Sequence, residues 1–241
     1  MDGLLNTNKP KGITSYDVIR FIKKNFHFKG KIGHSGTLDP AATGVLLVCL
    51  GKATKLSSLL MAQEKEYEAT LKLGIRTDTL DEKGKILSRI DKISITEEAT
   101  KKVLFSFIGE IKQVPPLVSA LKYQGRRMYE IAREGKDVPR KARRIIIKEI
   151  KIKEIKIPFI SFRVVCSKGT YVRALCRDIG EQLGCGAFQS NLIRKRIGPF
   201  LLKDALTLER LKERGLSSSL IPISEVLNFI KNKVEQARPL Q

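Results

Sequence analysis

The chain has 241 residues, with 46 Lys and Arg against 25 Asp and Glu for a net charge of +21, and 42% of its residues are hydrophobic. That apolar fraction fills a core for one large domain, or a domain with an appendage, and excludes disorder along the whole chain. No apolar run approaches the roughly 20 residues that cross a bilayer, and the N-terminus lacks a basic region followed by an apolar leader, so a cytoplasmic location is expected.

The four cysteines, Cys49, Cys166, Cys176 and Cys185, form no Cys-x-x-Cys pair, and the histidines are His27 and His34. Neither a disulfide framework nor a zinc site is spelled out, and buried, reduced thiols are expected. The surplus of positive charge suggests a polyanionic partner, because each cation that neutralises a phosphate releases a condensed counterion. RNA, DNA and an anionic membrane surface all satisfy it. With no Trp and 6% aromatics, a surface built mainly from stacking platforms is disfavoured.

In chain order, Thr14 caps a helix whose apolar face is Val18, Ile19, Ile22 and Phe26. A Gly-containing loop runs from Gly30 to Gly44, and Gly44 to Leu50 reads as a fully buried strand. Lys52 to Met61 reads as helix. From Tyr67, alternation puts Tyr67, Ala69, Leu71 and Leu73 on one face of a half-buried strand. Thr96 caps a predicted helix from Glu97 to Ile108.

Beyond Pro115-Pro116 the composition turns basic, with thirteen Lys and Arg against five acids between Lys122 and Lys156. A short helix is predicted at Met128 to Arg133, then a basic loop from Gly135 to Arg144. Ile145 to Ile157 reads as a strand or strand pair and Ser161 to Cys166 as another. A helix is expected from Gly169 to Leu183, stopped by Gly184. Strands and helices follow no regular βαβ rhythm, so the fold class is α+β with a mixed, mainly antiparallel sheet flanked by helices.

The segment richest in chemistry is Gly33-His34-Ser35-Gly36-Thr37-Leu38-Asp39-Pro40-Ala41-Ala42-Thr43-Gly44. Its glycines allow close turning, and Pro40 biases Asp39 toward an extended backbone that holds the carboxylate out of the loop. An Asp in such a loop is ordinarily a turn or cap residue, and a lone His ordinarily structural. With no phosphate-loop lysine, dinucleotide fingerprint or paired nucleophile and base, a carboxylate is still the best candidate reactive group.

This loop resembles the signature loop of the TruB family of tRNA pseudouridine synthases. The resemblance extends through Asn8 to Ser15, Lys65 to Ala69, Arg76 to Thr79, Gln113 to Ala120, Gly169 to Arg173 and Leu192 to Arg194, in the family's order. It implies the pseudouridine synthase fold, no cofactor and no metal, and conversion of uridine 55 in the tRNA T-loop to pseudouridine on a flipped-out nucleotide. It assigns Asp39 as nucleophile, Tyr67 as the aromatic that stacks on the uracil, and Arg173 as the ion-pair partner of Asp39. His34, Tyr171 and Leu192 match positions that line or bind the nucleotide. Lys9, Lys11, Arg126, Arg127, Arg143 and Arg144 are assigned to RNA.

The same resemblance makes residues 1–223 the catalytic domain, with a basic insertion at about 122–148 that closes over the T-arm. Residues 224–241 are expected as a short tail where bacterial relatives commonly carry a PUA-like domain, either absent here or removed by truncation. The expected partner is tRNA, bound by a monomer without membrane or guide RNA. Two rivals stand beside this reading: an RNA-binding module without catalysis, and a guide-dependent enzyme like the dyskerin branch.

Overall fold

A computed structural model describes residues 1–236 of the chain. The early elements are β1 (Gly3–Lys9), α1 (Ser15–Asn25), β2 (Ile32–His34), β3 (Thr43–Leu50), α2 (Ser57–Ala62) and β4 (Lys65–Leu73). They continue with β5 (Ile75–Thr77), β6 (Ile86–Arg89), α3 (Glu97–Ser106), β7 (Gly109–Gln113), β8 (Lys122–Tyr123), β9 (Arg126–Arg127) and α4 (Met128–Arg133). The last are β10 (Arg143–Lys156), β11 (Phe159–Cys166), α5 (Val172–Gln182), β12 (Ala187–Ile197), β13 (Phe200–Leu201), α6 (Leu208–Arg214) and α7 (Ile223–Gln236). The class is α+β as expected. Most strand pairings are antiparallel, while β12 runs parallel to β3. Among the described residues no helix is long and apolar enough to cross a membrane.

The chain forms two compact units, one from residues 1–67 together with those from Ile193 onward, the other from residues 68–192. In the first, β1 pairs along its whole length with β3, from Gly3 opposite Leu50 to Lys9 opposite Gly44. The apolar run of β3 is explained by cores on both faces. Val45, Leu47 and Cys49 pack with Leu4, Phe200, Val226 and Ile230, and Leu46, Val48 and Leu50 pack with Leu5, the α1 residues Val18, Ile19 and Ile22, and the α6 residues Leu208 and Leu211. Each such side chain contributes about 1.5–3 kcal/mol by leaving water. Thr14 caps α1 as predicted, its side chain accepting from the Asp17 N–H while Asp17 reaches back to the Thr14 N–H at 2.8 Å.

One reading in this unit is corrected. Lys52 to Met61 is not one helix but a tighter 3₁₀ segment, Gly51–Leu56, followed by α2. Within the segment expected as a short tail, α7 begins at Ile223 and buries Val226 and Ile230 in the first core. Its apolar residues, four apart, have a face to cover. Residues 237–241 of that expected tail lie outside the described residues.

In the second unit, β10 pairs antiparallel with β11 and β7. Of the two alternatives read for Ile145 to Ile157, the single strand holds: β10 starts earlier, at Arg143, and ends at Lys156, with Ile157 in the turn to β11. β4 crosses from the first unit into this one with the predicted alternation, every second residue from Lys65 to Leu73 being buried. The basic segment holds β8, β9 and α4 around a small core of Met128, Ile131 and Val138, backed by Leu117, Leu121 and Tyr123. Thr96 caps α3 as read. α5 starts at Val172, three residues later than predicted, because Gly169 sits at φ +80° outside the helix. All four cysteines are buried.

Candidate active site

In the first unit Asp39 stands half-buried at the start of a turn, its carbonyl accepting from the Ala42 N–H at 3.0 Å with Pro40 at the second turn position. The loop around it is held from several directions. Ser15, buried at the start of α1, exchanges two hydrogen bonds with Leu38: its Oγ donates to the Leu38 carbonyl at 2.9 Å and accepts from the Leu38 N–H at 2.8 Å. The Gly12 N–H donates to the Pro40 carbonyl at 2.8 Å. Arg194, fully buried, donates from Nε to Val45 at 2.7 Å, from Nη2 to Gly36 at 3.0 Å and from Nη1 to Thr37 at 3.4 Å, each time to a main-chain carbonyl.

Gly44 explains why the end of this loop takes a glycine. Its φ is +109°, and a Cβ there would lie 2.3 Å from the Arg194 carbonyl oxygen. The close approach comes from the parallel register, in which Arg194 sits opposite Gly44.

Lys9 corrects an expectation. Assigned to RNA, it is instead fully buried, its ammonium donating to Pro10 and Ile13 at 2.8 Å and to Pro40 at 3.5 Å. Burial pushes its pKa down to about 8, opposed by the negative charge of Asp39 and reinforced by the positive charge of Arg194. Lys9 is thus a brace of the Asp39 loop and not a surface cation. Lys11 is exposed. His34 ends β2, half-buried and opposite Val48, and Tyr67 is 8% exposed on β4.

In the second unit Arg173 is not the solvated helix-start arginine that its position alone would suggest. It is 5% exposed, donating to the carbonyls of Thr79 and Val118, each at 3.0 Å, with Asp81 Oδ2 at 3.5 Å. Asp81 also accepts from Thr79 Oγ1 at 2.7 Å and the Lys83 N–H at 3.1 Å, so it orients Arg173 while being oriented itself. Sequence reasoning missed Asp81; it stands two residues beyond the Arg76 to Thr79 block. Tyr171 is clamped at its main chain by Gln113, whose Oε1 accepts from the Tyr171 N–H at 2.8 Å and whose Nε2 donates to its carbonyl at 3.2 Å. Leu192 is 5% exposed on β12.

The basic residues of this unit assigned to RNA, Arg126, Arg127, Arg143 and Arg144, are exposed. Arg126 is ion-paired with Glu134, which Lys136 also contacts at 3.1 Å, and these cations pull the Glu134 carboxyl down to about 2. Arg127 donates to the Ala120 carbonyl at 2.5 Å, Arg144 pairs with Glu110 at 3.1 Å, and Arg143 is exposed at the head of β10.

Comparison with known proteins agrees over nearly the whole chain. Residues 23–172 match the N-terminal domain of the TruB family pseudouridylate synthases, and residues 173–227 match the tRNA pseudouridylate synthase B C-terminal domain. The tRNA pseudouridine synthase B of Clostridium tetani is 46% identical over 228 residues, 95% of this chain and 78% of that protein. The one from Clostridium novyi is 48% identical over 241 residues, 98% of this chain and 83% of that protein. Among solved structures, a chain of a Cbf5-Nop10-Gar1 complex aligns with a TM-score of 0.69 at 33% identity over 96% of this chain and 59% of its own length. One from an H/ACA RNP bound to a substrate RNA containing 2'-deoxyuridine aligns at 0.66 and 32% identity, over 88% of this chain and 52% of its own. With its two domain matches and relatives near half identity, the chain belongs to the TruB family of pseudouridylate synthases, isomerases that act on RNA.

Proposed function

We propose that this protein converts uridine 55 in the T-loop of tRNA to pseudouridine, with Asp39 as nucleophile and no cofactor. The observation that carries the reading is the Asp39 turn: a half-exposed carboxylate residue on a loop pinned by Lys9, Gly12, Ser15 and Arg194. Fixed placement of a reacting group removes much of the entropic part of a barrier.

In the reaction the N1–C1′ bond breaks, the uracil turns, and C5 bonds to C1′. The C5 proton leaves to solvent and N1 takes one up, so the product is an isomer. Asp39 supplies electron density at the sugar or to the uracil ring. Arg173 ion-pairs with Asp39 in this reading, favouring the charged carboxylate, and Asp81 keeps its guanidinium aimed. Tyr67 stacks on the flipped base, with His34, Tyr171 and Leu192 around it, which offsets the few kcal/mol of unstacking. Lys11, Arg126, Arg127, Arg143 and Arg144 hold phosphates of the T-arm, positioning the RNA without reading its sequence. The enzyme works in the cytoplasm as a monomer.

The test is release of tritium from C5-labelled uracil in a T-arm hairpin by purified protein with nothing added. Wild type is expected to release it and Asp39→Asn to fall by at least about 10³-fold, with hairpin affinity kept within a few-fold. Equal release by the variant overturns the nucleophile. The likeness to H/ACA chains at 32–33% identity favours a second reading, in which a guide RNA presents the substrate; release that starts only when guide RNA and partner proteins are supplied would establish that one instead.

A further inference from the structure

Among the described residues, Arg194 is the largest side chain with less than 2% of its surface exposed. A guanidinium in that setting must be neutralised or hydrogen-bonded to be tolerated. Its three hydrogen bonds go to main-chain carbonyls only, and their places in the chain are specific. Gly36 and Thr37 precede Asp39 by three and two residues, while Val45 follows it by six. One planar group therefore joins the entry and the exit of the loop, a task that needs several donors in a fixed fork. The main chain of Arg194 is fixed as well, in parallel register beside Gly44 with no room for a Cβ between them.

We propose that Arg194 is a positioning residue for the reaction, locking the loop so that the Asp39 carboxylate meets the flipped nucleotide at one place. This rests on the reading of Asp39 as nucleophile. Arg194 acts through Gly36, Thr37 and Val45 and touches no substrate. A lysine in its place keeps the charge but offers a single nitrogen, which cannot reach both ends of the loop.

The experiment is single-turnover isomerisation of saturating T-arm hairpin by Arg194→Lys, reading rate constant and amplitude separately. Amplitude reports the fraction of protein that is folded and competent; the rate constant reports the geometry of that fraction. The expected result is a rate constant lowered about 10²-fold with near-full amplitude and hairpin affinity within about twofold. An unchanged rate constant, whether amplitude holds or falls, overturns the proposal.

Gly36→Ala supplies a second probe, since Gly36 sits at φ +96° and presents the carbonyl that Arg194 Nη2 grips. Its Cβ would have ordinary room, 3.7 Å from Arg194 Nη1, so the variant disturbs the backbone conformation and not the packing. It is expected to slow the rate constant at full amplitude, and the double variant to be no slower than the worse single. Effects that multiply overturn the proposal, as does a normal rate constant for Gly36→Ala if Arg194→Lys does not fold. Asp39→Asn runs in parallel: activity retained there sinks the nucleophile reading itself, whereas an inactive Asp39→Asn beside an undisturbed Arg194→Lys sinks only the role of Arg194.

Discussion

The Asp39 loop and the basic segment beyond Pro115-Pro116 are held in place by opposite physics. The loop is tied by buried donors, Lys9, Ser15 and Arg194, to main-chain carbonyls, bonds that water and salt reach poorly. The basic segment is tied by exposed ion pairs, Arg126 and Lys136 to Glu134, Arg140 to Asp137, Arg144 to Glu110, over a core of three buried side chains. Exposed pairs are worth about 0–1 kcal/mol and weaken with salt. In the proposed function, chemistry thus falls to the element tied by buried donors, and the grip on a flexible polyanion to one whose contacts are easily exchanged for phosphates.

The largest effect that can test this contrast is expected from Lys9→Met. It removes the buried ammonium that binds three part-buried carbonyls, at a cost of about 2–4 kcal/mol, a fall of roughly 5–15 °C in unfolding midpoint that 0.5 M salt, on the order of a 4 Å Debye length, leaves nearly unchanged. The variant also loses a pH dependence. With its pKa at about 8 in the fold and 10.5 ordinarily, Lys9 releases its proton in the folded chain before it does in the unfolded one, so wild-type stability rises with pH across that window. Denaturant titrations at pH 7.5 and 10 check this, and an equal rise in Lys9→Met would count against it.

A second, smaller effect belongs to the basic segment. Replacing Arg126, Arg127, Arg143 and Arg144 together by Ala is expected to flatten the slope of log affinity against log salt by about 3, at roughly 0.7–0.9 per phosphate contact, with little change in unfolding midpoint. A marked drop in midpoint with an unaltered slope would mean that these arginines hold the fold and not the RNA. Smallest is Glu134→Gln, which releases Arg126 and Lys136 from their shared acid. Hairpin affinity at low salt is expected to rise about two- to threefold, within the worth of an exposed pair, and to return to the wild-type value at 0.5 M salt.

What the sequence made legible follows the same division. Thr14 and Asp17 announce α1 through side chains that close on their own backbone, and β4 alternates without exception. Both are local patterns. β1 went unread because the polar residues Asn6, Thr7 and Lys9 break its apolar pattern, yet all three are buried, with Asn6 donating to the Leu201 carbonyl and Thr7 to that of Leu46. β12 escaped in the same way, with Gln189 and Arg194 buried in it. A polar residue whose partner lies 39 or 195 positions away carries no mark of that partner in its own neighbourhood. The candidate site divides likewise: Asp39 and its glycines stand out in one loop, whereas Lys9 and Arg194 reach that loop's carbonyls from 31 and about 150 positions away, and Asp81 meets the Arg173 guanidinium 92 positions on.

The first unit is assembled from both ends of the chain: residues 1–67 need the segment that starts at Ile193, and Leu4 bridges to Ile221 while Val226 and Ile230 close the core around Leu4 and Leu47. During synthesis, about 125 intervening residues must be made first, a delay of roughly 6–25 s at 5–20 residues per second. For that interval the face of β1 and β3 that carries Leu4 and Leu47 is covered only by Ala53 and Leu60, without Ile197, Phe200, Val226 and Ile230. Closure of that core therefore waits for the segment that starts at Ile193.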